Sequence, residues 1–140
     1  MATLEKAIIL AATHHAGQTD KGGDPYVFHP IRLMLKATNQ AEQIVAILHD
    51  TIEETTLTLA DLQTEGFSEE IVSAVDSLSR REEESYEAFI LRIKQNPLAR
   101  RVKILDLQDN MDLTKSKKPT VKDKKKLEKY SKAMDVLLGY

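Results

Sequence analysis

The chain has no cysteine and no tryptophan. Without cysteine there is no disulfide, no thiolate metal site and no thiol nucleophile, so any transition-metal site must be built from histidine and carboxylate. Aromatic residues make up only 5% of the chain, too few for the stacking platforms that single-stranded nucleic acid requires. A large excess of either charge is absent as well, with 20 Lys and Arg against 22 Asp and Glu. A net charge of −2 gives no global attraction to nucleic acid or to an anionic membrane surface, and neither is expected as a partner. No apolar run approaches the roughly 20 residues needed to span a bilayer. The opening Met1-Ala2-Thr3-Leu4-Glu5-Lys6 lacks the basic-then-apolar pattern of a secretory signal, so the expected location is the cytoplasm.

What remains is the balance of a soluble globular protein, 41% hydrophobic and 30% charged. Its 140 residues predict one domain over 1–140. The apolar period is helical almost throughout. Leu4, Ile8, Ala11 and His15 fall on one face of a first helix that stops before Gly17. Residues 18–25, with Gly22, Gly23, Asp24 and Pro25, carry the densest turn signal. Pro30 suits the first turn of a second helix carrying Ile31, Met34 and Leu35. A third is predicted from Gln40 to Glu54, striped by Ile44, Ile47 and Leu48. Thr58 and Ser68 are candidate N-caps, the second before the stripe Ile71, Val72, Val75 and Leu78. Further helices are predicted over 85–95 and 98–113. Thr55 to Leu59 is β-prone but too short for a strand.

The last segment, 114–140, is crowded with lysine, including Lys115, Lys117, Lys118, Lys124, Lys125, Lys126 and Lys129. Leu127, Tyr130, Met134, Leu137 and Leu138 nevertheless keep a helical period, which predicts a docked helix with a lysine-rich outer face rather than a nucleic-acid arm.

Four features carry chemistry: His29-Pro30, His49-Asp50, Glu53-Glu54, and Asp106 with Asn110 one helical turn later. Neighbours on a helix point about 100° apart, so His49 and Asp50 can grip two sides of one ion. Glu53 lies one turn on from both, placed to reach water beside that ion without ligating it. Two histidines and two carboxylates form a mixed donor set suited to Mn²⁺, Fe or Zn²⁺ more than to Ca²⁺. Each residue taken singly has a structural explanation: His49 as a core histidine, His29 as the residue before a helix start. Asp106, set among Ile104, Leu105 and Leu107, is harder to explain, because an unpaired buried carboxylate costs several kcal/mol.

Jointly, these features resemble one family. His15-Ala16-Gly17-Gln18, Asp24-Pro25-Tyr26-Val27-Phe28-His29-Pro30, His49-Asp50-Thr51-Ile52-Glu53-Glu54-Thr55 and Val102-Lys103-Ile104-Leu105-Asp106 with Asn110-Met111 match, in order, the motifs of the HD superfamily of metal-dependent phosphohydrolases. The match is to its alarmone-hydrolase branch, the (p)ppGpp hydrolase domains of stringent-response enzymes and their small stand-alone relatives. It covers 7–113. The resemblance implies an all-α, single-domain helical bundle holding one divalent ion, most often Mn²⁺. It implies His29, His49, Asp50 and Asp106 as metal ligands, Glu53 and Glu54 as the groups that activate water and transfer protons, and Lys21 and Asn110 as contacts to the substrate. The implied substrate is a phosphorylated guanine nucleotide, and the implied reaction removes the 3′-pyrophosphate of ppGpp or pppGpp by attack of a metal-bound water. His15 is expected to support the site rather than ligate, and His14 to be exposed.

The sequence departs from the family pattern at Asp20, where arginine is usual, at Glu54, where aspartate is usual, and at Leu107, Asp109, Asp112 and Leu113. These departures predict a more acidic substrate wall. They leave two other readings: hydrolysis of another nucleotide or a small phosphate ester, and a non-catalytic module that senses a nucleotide.

Overall fold

The computed structural model of the chain describes residues 2–115 and 120–139. Among them the secondary structure is helical: α1 (Leu4–His14), α2 (Phe28–Lys36), α3 (Gln40–Leu48), α4 (Thr51–Glu54), α5 (Leu59–Thr64), α6 (Glu69–Ser77), α7 (Tyr86–Lys94), α8 (Pro97–Lys115) and α9 (Val121–Leu138). Thr19 and Pro25 form an isolated antiparallel bridge that closes the glycine-rich loop. No helix among the described residues is long and apolar enough to cross a membrane. Lys117 and Lys118 lie outside the described residues.

The helix starts follow from local chemistry. Thr3, Asn39, Thr58, Ser68, Ser85 and Thr120 sit in extended backbone, and each side chain accepts a hydrogen bond from an otherwise orphaned N–H of the first turn. Thr58 with Asp61, and Thr120 with Asp123, complete reciprocal capping boxes. Gly17 and Gly139 take positive φ just past the ends of α1 and α9, a conformation that costs glycine nothing.

Two boundaries differ from expectation. α2 begins at Phe28 rather than Pro30, which places the proline third in the helix. There it costs nothing, because the first four N–H groups have no partner inside a helix anyway. The expected helix from Gln40 to Glu54 is broken at His49 and Asp50. His49 Nδ1 donates to the Ala46 carbonyl (2.7 Å) and Thr51 Oγ1 to the Leu48 carbonyl (2.7 Å), so side chains claim acceptors that a continuous helix would use.

α3 packs against α1, α2, α6 and α8, and its Val45, Ala46, Ile47 and Leu48 are wholly buried. The stripe of α6 is buried as expected, and so are Leu33, Leu107 and Leu137. Leu35 and Leu138, expected on buried faces, are instead 73% and 47% exposed, while Leu33 takes the inward position on α2. The core therefore surrounds the end of α3, where His49 and Asp50 leave the helix.

Truncating Leu48 to alanine removes a fully buried side chain and should destabilise the fold by about 2–5 kcal/mol in denaturant unfolding, whereas Leu35→Ala should stay within about 0.5 kcal/mol. Equal effects for the two would contradict this packing.

Candidate metal centre

The fold brings three separate chain segments to one point. His29 is in the first turn of α2, His49 caps the end of α3, Asp50 opens α4, and Asp106 sits midway along α8. Ligand atoms of His29, His49 and Asp50 lie within 4.8 Å of one another. Asp106 joins them: its Oδ1 is 2.8 Å from His29 Nε2 and 3.6 Å from His49 Nε2. His29, His49 and Asp106 are buried, and Asp50 is half-buried.

The decisive atom is His49 Nε2. It is buried and makes no hydrogen bond, although Asp50 Oδ2 approaches to 3.2 Å. The other ring nitrogen donates to the Ala46 carbonyl, which directs the Nε2 lone pair into the cluster. An unsatisfied buried acceptor costs about 1–3 kcal/mol, so the site has a standing demand for a positive partner. Two imidazole nitrogens with two carboxylates meet that demand with a divalent cation of the Mn, Fe or Zn type.

Electrostatics agree. Burial opposes charge on His49, yet Asp50 and Asp106 outweigh it and raise its pKa well above the ordinary histidine value. His29 behaves alike: burial lowers its pKa, while hydrogen bonds to Asp106 and Asp109 lift it above 6.5. Burial pushes the Asp106 carboxyl upward, and Lys103, His29 and His49 together hold it well below the usual range. The pocket favours positive charge between its carboxylates.

Supporting residues surround the four. Lys103 Nζ is 2.8 Å from Asp106 Oδ2, and Asn110 Nδ2 donates to Asp106 Oδ1 at 3.2 Å. The Tyr26 hydroxyl donates to Asp50 Oδ2. His29 Nδ1 donates to Asp109 Oδ2 (2.6 Å), and Arg32 grips Asp109 through Nε and Nη2, both at 2.9 Å. Sequence reasoning missed Arg32, and it placed Asp109 on the substrate wall. The structure corrects this: Asp109 is 3% exposed and its charge is matched by Arg32. Helical spacing carried the signal, since Lys103 and Asp109 each stand three residues from Asp106, and Arg32 three from His29.

The remaining expected residues line a cleft of about 1150 Å³ above the cluster. Glu53 and Glu54 stand on one wall. Glu53 Oε1 accepts from the Arg80 backbone N–H, and burial with the charges of Asp50 and Glu53 raises the Glu54 pKa. His15 does not reach the cluster. It is 2% exposed, its Nδ1 donates to Gln18 Oε1 (2.8 Å), and Gln18 Nε2 donates to the Glu54 carbonyl (2.8 Å), tying α1 to the acid pair. His14 is half-buried, not exposed.

Lys21 lines the cleft, and so do Lys126 and Lys129 of α9, although α9 was expected to turn its lysines outward. Lys129 Nζ lies 4.0 Å from the centre of the Tyr86 ring, which holds this charge at the cleft. Asp20, also in the wall, is occupied locally: its Oδ1 accepts from the N–H groups of Gly22 (2.8 Å) and Asp24 (3.0 Å).

No protein-family model matches the chain. A guanosine-3′,5′-bis(diphosphate) 3′-pyrophosphohydrolase of Aquifex aeolicus is 30% identical over 125 residues, covering 81% of this chain and 17% of that protein. A GTP pyrophosphokinase of Myxococcus xanthus is 33% identical over 127 residues, covering 77% of this chain and 16% of that protein. The chain thus spans about a sixth of the length of these curated relatives. A solved structure, described as a metazoan ortholog of SpoT that hydrolyses ppGpp and plays a role in starvation responses, superposes with a TM-score of 0.79. It covers 99% of this chain and 86% of that one at 20% identity. The all-helical fold is therefore shared with that protein, and the chain is related in sequence to a segment of the bacterial enzymes.

The pKa directions fix a pH test. Between 6.5 and the raised folded values of His29 and His49, the folded state holds more protons than the unfolded chain, so stability falls as pH rises through that window. In EDTA, the melting temperature should fall as the pH rises above 6.5, and Mn²⁺ should shrink or reverse the fall by binding the neutral imidazoles. A melting temperature flat with pH and indifferent to Mn²⁺ would contradict the cluster.

Proposed function

We propose that this chain, a sequence relative of ppGpp hydrolases, is itself a Mn²⁺-dependent hydrolase that removes the 3′-pyrophosphate of ppGpp or pppGpp, releasing GDP or GTP. The observation that carries the reading is the buried, hydrogen-bond-free Nε2 of His49. It sits among His29, Asp50 and Asp106, which line the floor of a cleft that also presents two glutamates and several lysines. His29, His49, Asp50 and Asp106 would hold the ion. When bound, Mn²⁺ supplies a Lewis acid and lowers the pKa of coordinated water toward neutrality.

The chain's own residues do the rest. Glu54, with its raised pKa, takes a proton from the attacking water and returns it to the leaving oxygen. Glu53, fixed by the Arg80 N–H, orients that water. Lys103 keeps Asp106 ionised and aligned. Lys21, Lys126 and Lys129, which line the cleft, would offset the charge of the phosphates, and Asn110, also in the lining, would make a polar contact to the nucleotide. Asp20 in the cleft wall favours one second reading, the same chemistry on a different phosphorylated nucleotide.

The test is incubation of purified protein with ppGpp and Mn²⁺. GDP and pyrophosphate should appear in equal amounts, and Glu53→Gln and Glu54→Gln should each lower kcat by about 10²–10⁴ while Mn²⁺ still binds. Lys21→Ala should raise KM about tenfold with little change in kcat, the loss of one charge-assisted contact. No GDP release at high enzyme concentration would overturn the assignment. Turnover confined to other nucleotides in a broad screen would favour the second reading.

A further inference from the structure

The metal cluster rests on a second layer built from two helices. On α2, Arg32 follows His29 by three residues; on α8, Asp109 follows Asp106 by three. At that spacing, side chains stand one above the other. The two helices pack so that these pairs meet as rungs: His29 Nε2 to Asp106 Oδ1 at 2.8 Å, and Arg32 to Asp109 through two 2.9 Å hydrogen bonds. A diagonal joins the rungs, because His29 Nδ1 donates to Asp109 Oδ2 at 2.6 Å.

We infer that Arg32 and Asp109 are positioning residues that set the ring and tautomer of His29 for metal binding. Three observations combine. Asp109 is buried next to the cluster, yet both of its oxygens are engaged, Oδ1 by Arg32 and Oδ2 by Arg32 and His29, so it is held out of the ligand set. Both ring nitrogens of His29 face a carboxylate, Nδ1 that of Asp109 and Nε2 that of Asp106, so once a cation takes Nε2 the ionised acceptor on Nδ1 keeps the ring's remaining proton there. Arg32 is one-third exposed at the cleft, so it supplies the compensating charge without being buried itself. A planar, two-donor grip fixes the carboxylate plane, which a single ammonium cannot do.

The competing role is purely structural: the Arg32–Asp109 pair fastens α2 to α8 and does nothing to His29. This inference rests on the metal-centre reading, and the experiment separates the two. Mn²⁺ alone is titrated calorimetrically into wild type, Asp109→Asn, Arg32→Gln and the double variant, with melting temperatures recorded in EDTA. Positioning predicts an Mn²⁺ Kd weakened by about 10–100-fold in Asp109→Asn, a smaller loss in Arg32→Gln, and no further loss when Arg32→Gln is added to Asp109→Asn. The visible spectrum of the Co²⁺-loaded protein should shift in Asp109→Asn. Kd values within about twofold of wild type, with only the melting temperature lowered, would overturn the inference. If Asp109→Asn does not fold, Arg32→Gln at the exposed end of the pair decides alone, and an unchanged Kd there overturns it. Wild type that binds no Mn²⁺ would sink the metal centre itself. The predicted Kd pattern without ppGpp turnover would sink only the substrate assignment.

Discussion

Asp106 is a carboxylate left 5% exposed in the middle of a helix, and it keeps its charge only because cations and donors reach it from every side. His29 comes from α2, His49 from the end of α3, and Lys103 and Asn110 from neighbouring turns of α8. Removing water from a carboxylate is costly enough that these partners cannot be incidental. Their convergence fixes the relative placement of α2, α3 and α8, and with it the floor of the cleft. The break between α3 and α4 serves the same constraint. There His49 Nδ1 is tied to the Ala46 carbonyl, and its Nε2 lies 3.2 Å from Asp50 Oδ2 and 3.6 Å from Asp106 Oδ1.

Around this floor some charges are matched locally and others face the cleft. Asp109 is matched by Arg32 and His29, whereas Asp20 stands in the cleft wall with its Oδ1 accepting from two N–H groups of its own loop. The cleft therefore keeps the carboxylates of Asp20, Asp24, Glu53 and Glu54 in its lining, without that of Asp109. Its basic side is completed by a helix distant in sequence, since Lys126 and Lys129 of α9 stand beside the same space as Glu53 and Glu54. The cleft thus carries imidazole and carboxylate groups at its base and lysines at its rim.

Much of this was legible in the sequence. Caps at Thr58 and Ser68, and the stripe from Ile71 to Leu78, are local signals, and local signals survive folding. His29, His49, Asp50 and Asp106 could be grouped because their motifs occur together in order, and the structure brings them together. What the sequence did not disclose depends on tertiary register. The break at His49 arises because two side chains capture backbone carbonyls, which periodicity does not record. Asp109 looked like a departure on the substrate wall because nothing in a linear reading places Arg32 opposite it. Lys126 and Lys129 looked like part of a solvated face because a helix at the mouth of a cleft has the same pattern as one facing solvent.

The metal centre is tested most directly by a crystal of the protein grown with Mn²⁺ and measured for anomalous scattering. The four-ligand site predicts one strong peak at coordination distance from His29 Nε2, His49 Nε2, Asp50 and Asp106, with Asp109 still on Arg32. A peak elsewhere, or none at saturating Mn²⁺, would contradict it.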